Sequence, residues 1–267
     1  MPIVKNIRKY SLSLLKTLFL ASLCISCFPD DDEAPIIEAD SFQLLAYDSA
    51  TEAYSIEINE DIPLVIPGSF VIKGTFSDNV QLNGMLATVV PVDIEANTSD
   101  TLYSIYPWEE DGLEIALKGT STEVFREVEL PSSAESGVYN FSLILYDELN
   151  NISEELNSSF RIENNSPLIA LTKPNEDYIE TTTGSTLNVK GSITSENALD
   201  SIVIRVGVGD YFETGTYLIR DTIINEFLID TSFVLNDSIG VGRRYLRIFA
   251  EDIQENTGNI EVTLQIE

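Results

Sequence analysis

Histidine is absent from this chain of 267 residues, and cysteine and basic residues are scarce. Ser-His-Asp and Cys-His catalysis both need an imidazole base, so these mechanisms are excluded, together with histidine-ligated zinc sites. The patterns GxGxxG, P-loop and GxSxG are also missing. Paired carboxylates for glycoside hydrolysis remain open, but no spacing singles out a pair. We therefore expect a protein that is not an enzyme.

The two cysteines lie at positions 24 and 27, at the end of a short apolar run. Basic residues between Lys5 and Lys16 lead into this run, which extends from Thr17 to Ile25. It is too short to cross a bilayer as a stable helix, so residues 1–26 are predicted to be an export signal. Cys24 leaves with the signal, and the mature chain then has no pair to oxidise.

The sequence Leu23-Cys24-Ile25-Ser26-Cys27 resembles the lipobox of bacterial lipoproteins. The acidic run 30–33 resembles the lipoprotein export signal of Bacteroidota. The resemblance implies that Cys27 carries diacylglycerol and an N-acyl chain, which together anchor stably where one chain would not. It also implies delivery to the outer leaflet of the outer membrane, with the protein facing the cell exterior. Residues 27–34 are then a short acidic tether between the anchor and the first domain. The alternative is plain secretion, with Cys27 as an ordinary thiol.

Charge of one sign dominates the mature chain. Without residues 1–26, 11 Lys and Arg face 44 Asp and Glu, a formal charge of −33. Nucleic acid is excluded as a partner, because its phosphates need a basic surface. A solvated exterior explains most of this charge, and a capacity for divalent cations is the alternative. Arg243, Arg244 and Arg247 form the one basic cluster, for which we expect ion pairs with the acidic surface.

The second half of the chain repeats the first. Two pairs of segments align: Gly68–Gly74 with Gly184–Gly191, and Asp147–Asn151 with Asp252–Asn256. A repeat of this length indicates tandem domains. We place the domains at residues 35–163 and 167–267.

Apolar and polar residues alternate within each repeat, as in the series Ile202, Ile204, Val206 and Val208. Segments of period two separated by turn residues predict antiparallel strands with one buried face. Helical periodicity is absent after residue 26. About seven strands per repeat predict an all-β protein of two tandem immunoglobulin-like antiparallel β-sandwiches.

The strand endings and the junction resemble a known family. Strand–Asp-x-x-x-Asn–strand endings resemble the tandem Ig-like and cadherin-like modules of Bacteroidota surface lipoproteins, and residues 163–167 resemble the cadherin linker. The resemblance implies a Ca²⁺ site of carboxylate and amide oxygens at the interdomain junction. The candidate ligands are Asp147, Asn151, Glu163, Asn164 and Asn165. The alternative, which the low ligand charge favours, is that Asp147 and Asn151 cap a hairpin turn.

An aromatic cluster precedes an acidic triplet. Its members are Tyr103, Tyr106 and Trp108, followed by residues 109–111. Aromatic rings suit the C–H faces of sugars while carboxylates accept hydroxyl hydrogen bonds, so this cluster is a candidate ligand-binding site. The alternative is a tryptophan buried in a sandwich core.

The triplet Asp-Ser/Thr-aliphatic occurs five times and resembles the general O-glycosylation acceptor of Bacteroidota. The candidate acceptors are Ser49, Thr101, Ser201, Thr222 and Ser238. The alternative is turn chemistry, in which Asp followed by Ser or Thr starts a strand.

Together these features predict a non-catalytic cell-surface lipoprotein. Its partners would be the outer membrane, through the lipid anchor, and a glycan or a surface protein. No cofactor is expected other than Ca²⁺. The competing function is a structural spacer or adhesion module stiffened by calcium at the junction.

Overall fold

The computed structural model describes residues 32–92, 94, 100–208 and 224–267, and the backbone of residues 211–218. Within these ranges the chain consists of strands and loops, with one 3-10 turn at Ala39–Ser41. The predicted all-β class is confirmed. No helix in the described ranges is long and apolar enough to span a membrane.

The strands fall into two groups along the chain. In the first half the described residues form β1 (Ile36–Ile37), β2 (Gln43–Asp48), β3 (Ala53–Glu57), β4 (Leu64–Ile66), β5 (Ser69–Ser77), β6 (Leu82–Val92), β7 (Leu102–Tyr103), β8 (Glu110–Ala116), β9 (Ser121–Glu129), β10 (Gly137–Asp147) and β11 (Leu156–Asn164). In the second half they form β12 (Leu168–Lys173), β13 (Tyr178–Thr181), β14 (Thr186–Thr194), β15 (Leu199–Val208), β16 (Tyr211–Leu218), β17 (Glu226–Val234), β18 (Gly242–Asp252) and β19 (Thr257–Ile266).

Each half builds two sheets on the same plan. In the first half one sheet has the order β9–β5–β2–β3, with β1 beside β2 on the same edge of β5. Its partner has the order β4–β11–β10–β6–β8. In the second half β17–β14–β12 and β13–β19–β18–β15–β16 repeat this arrangement. Equivalent strands therefore occupy equivalent places, with β5 matching β14 and β10 matching β18.

Most strand pairs are antiparallel, as predicted, but two edge pairs are parallel. β4 runs parallel to β11, and β13 runs parallel to β19. In each half, a short strand near the start joins the edge of the second sheet, beside the last strand of that half, before the chain returns to the first sheet. These short strands cover backbone groups that would otherwise be exposed at a sheet edge.

Strict alternation decides which side chains form the core. In β10 the residues Tyr139, Phe141, Leu143 and Leu145 are fully buried, and the residues between them are not. Two hydrophobic clusters result, one drawn from residues 44–162 and one from residues 169–266. Each fully buried large apolar side chain contributes about 1.5–3 kcal/mol.

Candidate functional site

The predicted aromatic site does not form one surface. Trp108 is 6% exposed and packs in the first core, with its ring 6.2 Å from that of Tyr139. Tyr103 lies in β7, and Tyr106 is exposed. Trp108 is therefore a core residue, as in the alternative interpretation, because burying so large a ring stabilises the fold.

The five predicted metal ligands are not brought together. Gly137, at the start of β10, pairs with Ile162, next to the linker, whereas Asp147 ends the same strand. The strand spans about 33 Å. Asp147 and Asn151 therefore cannot share an ion with residues 163–165. Among the described residues no group of three or more acidic or cysteine side chains could hold a metal.

Asp147 and Asn151 instead close a turn, as in the capping alternative. Oδ1 of Asp147 accepts hydrogen bonds from the backbone N–H groups of Leu149 and Asn151, both at 2.8 Å. In the second sandwich Oδ1 of Asp252 likewise accepts hydrogen bonds from the backbone N–H groups of Gln254 and Asn256, at 2.8 and 3.0 Å. Burial raises the pKa of Asp252, but its hydrogen bonds, led by that from Asn256, outweigh burial and lower the pKa below its usual value.

The side chain of Asn164 forms hydrogen bonds to neighbouring backbone groups at the junction. Its Nδ2 donates to the carbonyl oxygens of Ser132 and Ala134 at 3.0 and 2.7 Å. Its Oδ1 accepts from the N–H of Ser166 at 3.0 Å. The side chain thus fixes the linker against the loop that precedes β10.

The junction is also held by a strand that the sequence did not reveal. β7 comes from the first half but pairs with β12 of the second half. The Ser104 N–H donates to the Ile169 carbonyl, and the Ile169 N–H donates to Ser104 Oγ, both at 2.9 Å. Leu102 packs against the second core, and Trp108 lies in the first. We call residues 102–108 the strap, because they connect both cores within the range predicted as the first domain.

The candidate modification sites differ in exposure. Ser49 and Ser238 are exposed in turns, whereas Thr101 and Ser201 are half-buried. Cys27 and Thr222 lie outside the described residues. Asp48 Oδ1 accepts from the Ala50 N–H at 2.9 Å, so turn chemistry is present at the first of these sites.

A group of exposed aromatic rings lies on the outer face of the sheet β9–β5–β2–β3. Tyr47 is 52% exposed and Phe125 is 62% exposed. The ring centroid of Tyr54 lies 5.5 Å from that of Tyr47 and 6.0 Å from that of Phe125, both edge to face. We call these three rings, together with Ser69 and Glu127, the aromatic face.

An apolar floor underlies the aromatic face. Leu45 and Val71 are directly paired on β2 and β5, at positions that alternate with core residues. They are nevertheless only 5% and 0% exposed. The hydroxyl of Tyr54, which comes from β3, reaches Ser69 on β5 and Glu127 on β9, so its ring crosses the sheet over this pair and is held in a fixed orientation.

The carboxylate of Glu127 is held in place within the aromatic face. Its Oε1 accepts from Ser69 Oγ at 2.7 Å and from the Tyr54 hydroxyl. These two hydrogen bonds lower the pKa of Glu127, and the bond from Ser69 has the larger effect. The hydrogen bond to Glu127 raises the pKa of the Tyr54 hydroxyl. Oε2 receives no donor from the described residues, so a fixed, ionised acceptor faces solvent beside the rings.

The rim of the aromatic face is acidic. The outward positions of β9 include Glu123 and Glu129, and Glu57 lies opposite Leu45 on β3. The cation Lys73 is exposed beside Phe125, to which it is directly paired. This balance favours uncharged ligands over anionic ones.

Part of this site was visible in the sequence. In β9 the core residues Val124 and Val128 alternate with Glu123, Phe125 and Glu127, so Phe125 is an aromatic residue on a polar flank. The contribution of Tyr54 was not visible, because two other strands separate β3 from β9.

No protein-family model matches the chain, and no curated protein matches it in sequence. Among solved structures, the fibronectin(III)-like modules of Clostridium thermocellum CbhA are similar at 10% identity and a TM-score of 0.25, over 87% of this chain and 94% of that one. Dimeric latent PorU from Porphyromonas gingivalis is similar at 10% identity and a TM-score of 0.30, over 90% of this chain and 21% of that one. Bacteroides ovatus SGBP-B, in complex with a mixed-linkage heptasaccharide, is similar at 11% identity and a TM-score of 0.28, over 88% of this chain and 48% of that one. None of these likenesses indicates what this chain binds.

Proposed function

We propose that this protein is a non-catalytic binding protein that captures an uncharged glycan on the aromatic face. The observation that carries the proposal is a row of three aromatic rings, two of them more than half exposed, beside a fixed carboxylate. Contiguous exposed apolar surface of this kind marks an interaction site more often than a single exposed side chain does.

The chemistry of the face suits sugar rings. The C–H faces of a pyranose stack on Tyr47 and Phe125, and its hydroxyl groups donate to Glu127 Oε2. Four strands at their usual spacing make a sheet about 14 Å wide. A chain of several sugars lying across it would contact all three rings. The acidic rim disfavours glycans that carry carboxylate or sulfate groups at this site.

The leader supports a location at the cell surface. Export of residues 1–26, followed by lipidation at Cys27, would fix the chain to the outer membrane by its N-terminus. The first strand, β1, begins nine residues later, at Ile36. The tether is therefore short, and the sandwiches would stand close to the membrane.

The test is binding to a panel of neutral polysaccharides, with Phe125→Ala as the variant. Leu228→Ala is the matched control, since Leu228 is 71% exposed on β17, the strand equivalent to β9. We expect Phe125→Ala to weaken binding about tenfold, or about 1.4 kcal/mol. Both variants should melt like the wild type. No binding to any neutral glycan, or equal losses in the two variants, would contradict the proposal.

The alternative function is a structural spacer, and the strap favours it. Pairing of β7 with β12 stiffens the junction through the chain itself, without requiring an ion. A spacer would bind no glycan. Because the predicted Ca²⁺ ligands lie apart, its melting temperature should not rise in millimolar Ca²⁺.

A further inference from the structure

A second polar and aromatic surface covers the outer face of the sheet β13–β19–β18–β15–β16. Arg243, Tyr245 and Arg247 point outward from β18, because Leu246 and Ile248 on the alternate positions are fully buried. These arginines belong to the 11 basic residues of a mature chain with a formal charge of −33.

Neighbouring strands enlarge this surface. Arg205 on β15 is directly paired with Arg247. Tyr178 on β13 is 46% exposed and lies in one cross-strand row with Thr263 and Tyr245. We call Tyr178, Arg205, Arg243, Tyr245 and Arg247 the arginine–tyrosine face.

The guanidinium groups are arranged around a ring. The Cζ atoms of Arg243 and Arg247 lie 5.4 and 5.2 Å from the centroid of Tyr245, within the range of cation–π attraction. Arg247 Nε also donates to Glu261 at 2.5 Å. These contacts hold both side chains against the sheet, so they present their charge at fixed places.

Arg244 does not belong to this face, although the sequence groups it with Arg243 and Arg247. Its Nε donates to the carbonyl of Ile239 at 2.5 Å, and its Nη1 donates to that of Arg243 at 2.9 Å. Arg244 therefore stabilises the turn before β18. Of the ion pairs expected for this cluster, Arg247 forms one with Glu261.

Two cations meet at one place on this sheet. Arg205 lies directly opposite Arg247 across the β15–β18 pair, and Glu261 flanks Arg247 on the other side. Like charges placed directly opposite each other are unfavourable, and a half-exposed pair such as Arg247–Glu261 contributes little to stability.

We propose that the arginine–tyrosine face binds an acidic polysaccharide, a chain that carries carboxylate or sulfate groups. The planar guanidinium fork pairs with such groups through two parallel hydrogen bonds. The exposed ring of Tyr178 supplies stacking surface for a sugar beside the arginines. The site is separate from the aromatic face, which lies on the other sandwich, so either proposal can fail alone.

The shape of the basic surface selects a single chain over a wide polyanion. From Arg243 to Arg247 it runs about 14 Å along β18. Glu180 and Glu261 lie beside it, and Glu251 lies at its end. A nucleic acid duplex or an anionic vesicle would bring its charge against this acidic border, within the Debye length of about 8 Å.

The experiment measures binding of the full chain, purified in mild detergent, to three probes at low ionic strength. The probes are polygalacturonate for carboxylates, dextran sulfate for sulfates, and unmodified dextran as the neutral control. The variant is Arg243→Gln with Arg247→Gln. The matched control, Arg126→Gln with Arg161→Gln, removes the same charge from exposed positions on the other sandwich.

We expect the wild type to bind at least one acidic probe and not dextran, and to bind more weakly as salt is added. The double variant should lose about tenfold or more in affinity, equivalent to 1.4 kcal/mol, and the control less than twofold. Arg243→Gln alone keeps the Arg247–Glu261 pair and should give a partial loss even if the double variant fails to fold. The preferred probe identifies the anionic group.

Three results would overturn the proposal. The first is no binding to either acidic probe, and the second is equal losses in the variant and the control. The third comes from a parallel measurement with duplex DNA and with vesicles containing phosphatidylglycerol, if either binds more tightly than the acidic probes and depends on the same arginines.

Discussion

Replacing Ser104 by Ala tests whether the strap holds the two sandwiches together. Ser104 is 8% exposed, and its Oγ accepts the hydrogen bond of the Ile169 N–H at 2.9 Å. Ile169 is fully buried, so its N–H would lose its partner without gaining water. A buried unsatisfied donor costs about 1–3 kcal/mol.

The expected loss can be measured by thermal unfolding. For a chain of this size each kcal/mol lowers the melting temperature by about 2–4 °C, so a fall of about 2–12 °C is expected. Hydrogen exchange should show where the loss falls, since the Ile169 amide should exchange faster than in the wild type. Ser142→Ala is the control, because it removes a half-buried side-chain bond to Thr88 and leaves no backbone group unsatisfied.

Two results would refute this reasoning. If Ser104→Ala melts within a degree of the wild type, the Ser104–Ile169 bond does not stabilise the fold. If the Ile169 amide keeps its protection, the strap stays docked without the hydroxyl, and its hold on the second sandwich comes from the β7–β12 pairing and Leu102.

Three further predictions concern the cores and turns. Trp108→Ala should destabilise the fold by about 3–5 kcal/mol in urea unfolding, because it empties a core position rather than a surface site; unchanged stability would return Trp108 to the list of ligand contacts. The pKa of Asp252 is lower in the folded state than its unfolded value of 3.8, so the ionised carboxylate stabilises the fold above that pH, and this stabilisation is lost as the pH falls through the folded pKa. Asp252→Asn should flatten this part of the curve of unfolding free energy against pH. An unaltered curve would contradict the prediction. Gly191→Ala would place Cβ 2.1 Å from the Ala170 carbonyl oxygen and should lower the melting temperature by several degrees, whereas Gly112→Ala meets only a flexible leucine methyl group at 3.3 Å and should be tolerated.

The sequence was sufficient for features that depend on near neighbours in the chain. Alternation of apolar side chains predicted the strands, since successive residues of a strand face opposite sides. The Asp-x-x-x-Asn spacing favoured a capped turn over a metal site at Asp147, because an aspartate bonds to backbone groups two and four residues onward, and Asp252 in the repeat forms the same turn. The repeat of both patterns predicted that the two halves share one plan.

Other features depend on which strands become neighbours, and only the tertiary structure decides that. Two residues of β7 are too few to show a period, and their partner β12 lies across the junction. Tyr54 and Phe125 meet because β2 and β5 separate their strands by a fixed width that side chains can bridge. Periodicity tells which way a side chain points, whereas the contacts that make a binding face depend on the folding of distant segments against one another.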